Sequence, residues 1–248
     1  MIDKIIVNKM IDLFNQGLNT KQIAKELGVF RKTVGKYLRK NGCKYSKHNK
    51  CDITSDIFEI IDNEEKAYWL GFLYADGNVT DRGTVELSLK LSDKKHLEKF
   101  RDFLSFKGKI YTDSFRCRLM FKDSKISQDL IKQGCLKRKS LILQFPEDTQ
   151  IPDKLLSHFI RGYFDGDGHI RKKGSITIDL LGTEQFLKSL LLKTDICSTV
   201  KKTESKAYSI RLCGDRARKF CKIIYENCVT SLDRKYEVYK NRINDFKR

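Results

Sequence analysis

Residues 160–168 read Ile160-Arg161-Gly162-Tyr163-Phe164-Asp165-Gly166-Asp167-Gly168, and residues 69–77 read Trp69-Leu70-Gly71-Phe72-Leu73-Tyr74-Ala75-Asp76-Gly77. Each stretch is an apolar helical run with small residues one turn apart: Gly71 and Ala75 in the first, Gly162 and Gly166 in the second. Small residues four apart clear one stripe of a helix and let a second helix approach until the backbones nearly touch. Each run stops at Asp-Gly, and the glycine suits the left-handed conformation that commonly ends a helix. Two such helices side by side bring Asp76 and Asp167 to the same end of the pair. Either stretch alone reads as an ordinary helix stop, since Asp-Gly is common turn chemistry. Two matching copies imply more.

Two carboxylates at the negative ends of two helix dipoles repel each other and both dipoles. A hard divalent cation such as Mg²⁺ removes both penalties, because it prefers carboxylate, carbonyl and water oxygens. A metal between two acids is also a recurrent means of cleaving a phosphodiester. Asp76 and Asp167 are therefore the candidate catalytic and metal-binding residues.

The two stretches resemble the paired motifs of the LAGLIDADG homing endonucleases, with Asp76 and Asp167 at the catalytic acid position. The second copy is the closer match. The first carries Tyr74 where the eponymous motif has an acid, a position that does not bind metal. The resemblance spans about residues 63 to 240. It implies metal binding through Asp76, Asp167 and the carbonyls of Ala75 and Gly166, with each strand cut by metal-activated water to leave short 3′ overhangs. It also implies a saddle over double-stranded DNA and a long, asymmetric target. The implied molecule is a monomer with internal pseudo-twofold symmetry, and an RNA-binding intron maturase or an inactive DNA-binding regulator are the alternative uses of the scaffold.

Composition points the same way. The 248 residues carry a formal net charge of +18, which favours nucleic acid or an anionic surface as partner. No apolar run approaches the ~20 residues of a membrane span. The start, Met1-Ile2-Asp3-Lys4, lacks the layout of a secretory signal, so an intracellular protein is expected. None of the eight cysteines forms a C-x-x-C pair, which predicts reduced thiols. Cys43, His48 and Cys51 suggest zinc but lack a fourth ligand.

Residues 1–42 read as a separate all-α unit. Ile6, Met10, Leu13 and Phe14 mark a first helix; Thr20 is placed to cap a second; Val34, Tyr37 and Leu38 stripe a third. The arrangement resembles a helix-turn-helix of the resolvase or transposase type, with Arg31, Lys32, Thr33 and Lys36 on the reading helix. Phe30 stands where a capping Ser or Thr is expected. Residues 28–50 also hold Arg39, Lys40, Lys44, Lys47 and Lys50, and no acid. Residues 43–62 read as a basic linker.

The remainder reads as a duplication, with halves at 63–134 and 153–248 joined by 135–152. Asp167 minus Asp76 is 91, and adding 91 to the alternating row Val85, Leu87, Leu89 gives Ile176, Ile178, Leu180. The row Cys117, Leu119, Phe121 similarly gives Tyr208, Ile210, Leu212. Period-2 rows mark half-buried strands, so each half reads helix, hairpin, helix, hairpin, helix. The fold expected is α+β: a duplicated αββαββα saddle with the motif helices at its centre. The open faces present Glu86, Ser88, Lys90, Arg116 and Arg118 in one half, and Ser175, Thr177, Asp179, Ser209 and Arg211 in the other. These side chains are suited to base edges as well as phosphates. Lys90, Lys122 and Arg211 are the basic residues that strand position nominates to assist the two acids.

Overall fold

The structure, a computed structural model, describes residues 2–16, 18–43, 53–80, 83–135, 141–171 and 173–242. His48, Cys51 and the basic residues Lys44, Lys47 and Lys50 lie outside them. The chain divides into two units, Met1–Lys50 and Cys51–Arg248.

The first unit is three helices: α1 (Lys4–Asn15), α2 (Thr20–Glu26) and α3 (Arg31–Lys40). They close on a small core of Met10, Ile23, Val34 and Leu38. Asn19, rather than Thr20, caps α2: its side chain accepts from the Lys21 and Gln22 amides while Gln22 accepts from the Asn19 amide. This reciprocal box satisfies two donors that a helix start leaves open. The Thr20 hydroxyl instead accepts from Arg31 Nε. Helix α3 starts at Phe30 with no side-chain cap, as its sequence predicts.

The second unit repeats one pattern. Its first half runs α4 (Glu64–Asp76), β1 (Gly77–Val79), β2 (Thr84–Lys90), α5 (Lys94–Phe103), β3 (Tyr111–Thr112), β4 (Arg116–Lys122) and α6 (Ser124–Lys132). The second half runs α7 (Asp153–Asp167), β5 (Gly168–Ile170), β6 (Thr177–Gly182), α8 (Glu184–Lys193), β7 (Lys201–Lys202), β8 (Tyr208–Cys213) and α9 (Asp215–Tyr225). A further helix, α10 (Asp233–Asn241), follows. Each half forms a four-stranded antiparallel sheet, ordered β1-β2-β4-β3 and β5-β6-β8-β7. The alternation is clean in β4, where Cys117, Leu119 and Phe121 are buried between exposed neighbours. One sheet face meets the helices and the other is open.

The two sheets are not related by a uniform shift of 91. Val79 pairs with Val85 across five residues, whereas Ile170 pairs with Ile178 across seven. Counterparts in β6 therefore lie two positions further on than the motif spacing gives: Glu86 matches Asp179, and Leu87 matches Leu180. An insertion of two preserves inward and outward parity, which is why the apolar rows still align by eye. Strand β8 keeps the original offset, since Leu87 pairs with Leu119 and Leu180 with Ile210.

The stretch assigned to a linker is only partly one. Ile53, Ile57, Phe58 and Ile61 are buried in the main core. Trp69 sits in that core with its ring 4.8 Å from His96 and 4.9 Å from Phe100. His96 is held neutral, its pKa pulled down to about 3 by burial.

Candidate active site

Helices α4 and α7 lie side by side, and their glycines are why they can. A Cβ on Gly71 would stand 2.9 Å from the Phe159 carbonyl carbon, and one on Gly162 would stand 2.8 Å from the Phe72 nitrogen. These are backbone atoms of the partner helix, so no rotamer change makes room. Gly166 one turn on meets the Cβ of Ala75 rather than backbone.

Both helices end at the acids. An ideal Cβ on Gly166 falls 3.4 Å from Asp76 Oδ2, which places the Asp76 carboxylate beside the residue preceding Asp167. Residues distant in sequence are thus gathered at one end of the pair. The glycines that follow have a different purpose from the one expected. Gly77 and Gly168 are extended, at φ −72° and −93°, and run straight into β1 and β5. Side-chain bulk excludes other residues there: a Cβ on Gly77 would lie 2.6 Å from the Leu73 carbonyl oxygen, and one on Gly168 equally close to that of Phe164.

The electrostatic problem at these helix ends is met on the α7 side by Lys235, which the sequence reading did not single out. Its ammonium is buried and donates to the carbonyls of Phe164, Asp165 and Gly168. Three donors meet three acceptors, and a cation at a helix C-terminus complements the dipole. Burial lowers its pKa to about 8, opposed by Asp165 and further by Asp76 and Asp167, and the three carbonyl acceptors around it suit an ammonium. A signal for it exists in the sequence: Leu232-Asp233-Arg234-Lys235 matches Leu136-Lys137-Arg138-Lys139. The nominated Lys90, Lys122 and Arg211 lie on the open sheet faces. Lys235→Met should strip three carbonyls of their donor and Asp165 of its cation. We expect a loss of about 3 kcal/mol, read as a lower urea midpoint with unchanged slope.

Asp165 occupies the other acidic position of the second motif, and it faces inward. It accepts from the Tyr68 and Tyr225 hydroxyls, both at 2.8 Å, and from the Leu232 amide at 2.7 Å. Burial raises its pKa, with Lys235 and these donors opposing. In the first motif Tyr74 stands at this place and donates to the Gln133 carbonyl. The position anchors the end of each motif helix, by different chemistry in the two halves. Further ties cross between halves: Arg161 to Glu64 at 2.6 Å, Arg234 to Asp93 at 3.0 Å, and Lys99 to Asp233 at 2.6 Å.

Most of the nominated contact residues face outward. Glu86, Ser88, Lys90, Arg116 and Arg118 lie on the open face of the first sheet, and Asp179, Ser209 and Arg211 on that of the second. Thr177 departs from this: it is only 3% exposed, and its hydroxyl is directed to the Ser175 carbonyl. Ser175 is exposed but precedes β6. Both displacements follow from the longer β5–β6 turn. Asn78, Met120, Lys122, His169, Leu181 and Cys213 are further exposed strand residues. In the first unit Arg31, Lys32 and Lys36 are exposed on α3, and Thr33 is half-buried.

Residues 154–225 match the family model of the LAGLIDADG-like domain. An uncharacterized protein of Methanocaldococcus jannaschii is 23% identical over 217 residues, covering 85% of this chain and 78% of that one. The replication factor C small subunit of the same organism is 28% identical over 154 residues, which are 58% of this chain and 8% of that protein. Among solved structures, the LAGLIDADG homing endonuclease I-GzeII in complex with its DNA target superposes with a TM-score of 0.53 at 13% identity, covering 75% of this chain and 90% of that one. The homing endonuclease I-LtrWI bound to target DNA gives 0.52 at 12%, covering 75% and 92%. This chain therefore carries a LAGLIDADG-like domain in its second half and has the fold of the single-chain, two-motif LAGLIDADG homing endonucleases.

Proposed function

We propose that this protein is a homing-type DNA endonuclease, hydrolysing phosphodiesters at a long, asymmetric duplex site with a divalent metal, magnesium. The observation that carries the reading is the convergence of Asp76 and Asp167 at one end of the α4–α7 pair. A net charge of +18 supports a polyanionic substrate, and the fold is one whose solved examples include complexes with target DNA.

The donors fit a hard cation. Asp76 and Asp167 offer carboxylates, and the carbonyls of Ala75 and Gly166 fall in the last helical turn, where no intrahelical donor reaches. Among the described residues no group of three or more His, Cys, Asp or Glu could hold a metal, so two carboxylates with backbone carbonyls are the proposed set. A bound cation supplies Lewis acidity and an activated water. The rest belongs to the chain: the glycine stripe brings the acids together, Lys235 and Asp165 hold the end of α7, and the open sheet faces bind the duplex. The three-helix unit adds contacts to one flank through Arg31, Lys32, Thr33 and Lys36, raising avidity by tethering.

Selection of cleaved molecules from a randomised duplex library with Mg²⁺ tests the proposal, and should return one long non-palindromic site. Affinity for that site should fall about 10³- to 10⁵-fold between 50 and 200 mM salt if six to ten phosphates are neutralised. Tighter binding to structured intron RNA than to any duplex would favour the maturase use of the scaffold. Specific binding without cleavage would favour the regulator.

A further inference from the structure

Across the two open sheet faces, the structural counterparts share one feature: an acid on the second strand, Glu86 in one half and Asp179 in the other. Each acid holds an arginine on the neighbouring strand, but not at the same place. Asp179 pairs directly opposite Arg211, whose Nε donates to Asp179 Oδ1 at 2.5 Å. Glu86 lies opposite Met120, and its ion-pair partner is Arg118, two residues along, at 3.6 Å. Because Leu119 and Ile210 are counterparts, Arg211 corresponds to Met120, and Arg118 corresponds to Ser209. The arginines are displaced by two residues on the same scaffold.

Exposed ion pairs contribute little to stability, and a carboxylate facing phosphates is unfavourable unless a cation neutralises it. A guanidinium fixed by an acid, however, presents its remaining donors in a set direction. Arg211 uses Nε for Asp179, which leaves both terminal nitrogens as the fork that matches guanine O6 and N7, whereas Arg118 turns Nη1 toward Glu86 and keeps Nη2 and Nε for a base. Arg118 is 49% exposed and Arg211 66%, so both reach beyond the sheet.

We propose that Arg118 and Arg211 are the guanine-reading side chains of the two half-sites, and that they read at different distances from the centre of the target. This rests on the saddle reading above. Antiparallel strands advance about 3.4 Å per residue, close to the ~3.4 Å spacing of nucleotides along a strand. Two residues along a ribbon lying in the groove amount to about two base pairs at the Cα positions, and because Arg118 leans back toward Glu86, the counterpart of Asp179, the guanidinium groups are offset by up to about that much. The asymmetry of the target is built into the sheets as well as into the sequence of their side chains.

The test is selection of bound duplexes from a randomised library without Mg²⁺, using the full chain, Arg118→Gln, Arg211→Gln and Asp179→Asn. Wild type should prefer one guanine in each half-site, at positions about one to two base pairs out of symmetry. Each arginine variant should lose about tenfold or more discrimination at its own guanine only, and Asp179→Asn should relax the same position as Arg211→Gln. Uniformly weaker binding with the guanine preferences intact would show phosphate contact and overturn the inference, as would preferences at symmetric positions. Wild type selecting no sequence would instead remove the saddle reading beneath it. Circular dichroism of each variant, expected to be unchanged, separates these results from misfolding.

Discussion

Asp76→Asn should cut DNA at least about 10²- to 10³-fold more slowly than the wild type while binding the same duplex as well or better. Asparagine has the shape of aspartate, so the contact beside Gly166 and the packing of α4 on α7 should survive. In the proposed site, what is lost is a full negative charge that would help to hold the cation, together with one hard oxygen donor. Removing negative charge near phosphates favours binding if it has any effect. Asp167→Asn should behave alike, because the two acids occupy matching helix ends. Nicking of a supercoiled plasmid bearing the selected site, with gel shifts on the same preparations, separates the two quantities. Cleavage at the wild-type rate by both variants would refute the assignment of the site.

Gly162→Ala should destabilise the protein by about 3 kcal/mol, the upper part of the range for overpacking a well-filled core. The added methyl points at the backbone of α4 near Tyr68 and Phe72, and only movement of a helix relieves it. For a unit of this size the loss corresponds to a fall of about 6–12 °C in Tm. Below the new Tm, cleavage should still drop about 100-fold, the cost associated with roughly 1 Å of misplacement at a reacting centre. Scanning calorimetry and single-turnover cleavage at 20 °C check the two parts. An unchanged Tm would mean that the helices do not approach as closely as the glycines imply.

The centre of the molecule was readable from the sequence because its determinants are local and repeated. Gly71 with Ala75 and Gly162 with Gly166 state a close helix pair through spacing alone, and Val85-Leu87-Leu89 and Cys117-Leu119-Phe121 state strands by alternation. What escaped depends on pairing between distant segments. The longer β5–β6 turn leaves parity untouched, so a period-2 pattern could not reveal that Asp179, rather than Thr177, matches Glu86. Gly77 and Gly168 were legible as glycines but not in purpose, since the obstacle is the carbonyl of a residue one turn back and not a positive φ. Lys235 gave no warning in hydropathy, as a buried ammonium needs acceptors that only the folded chain assembles. Asn19 and Thr20 are both good caps, and only geometry chooses between them.

The tie between Arg161 and Glu64 bears on the history of the duplication. The residue of α7 that corresponds to Glu64 is Leu155, and the residue of α4 that corresponds to Arg161 is Leu70. Two copies of the C-terminal half, joined as a homodimer, would turn each sequestered guanidinium toward a leucine, at a cost of about 3–5 kcal/mol on each side. Two copies of the N-terminal half would lack the cation altogether. The ancestral twins have become complementary, like a left and a right glove, and neither can any longer stand in for its sibling.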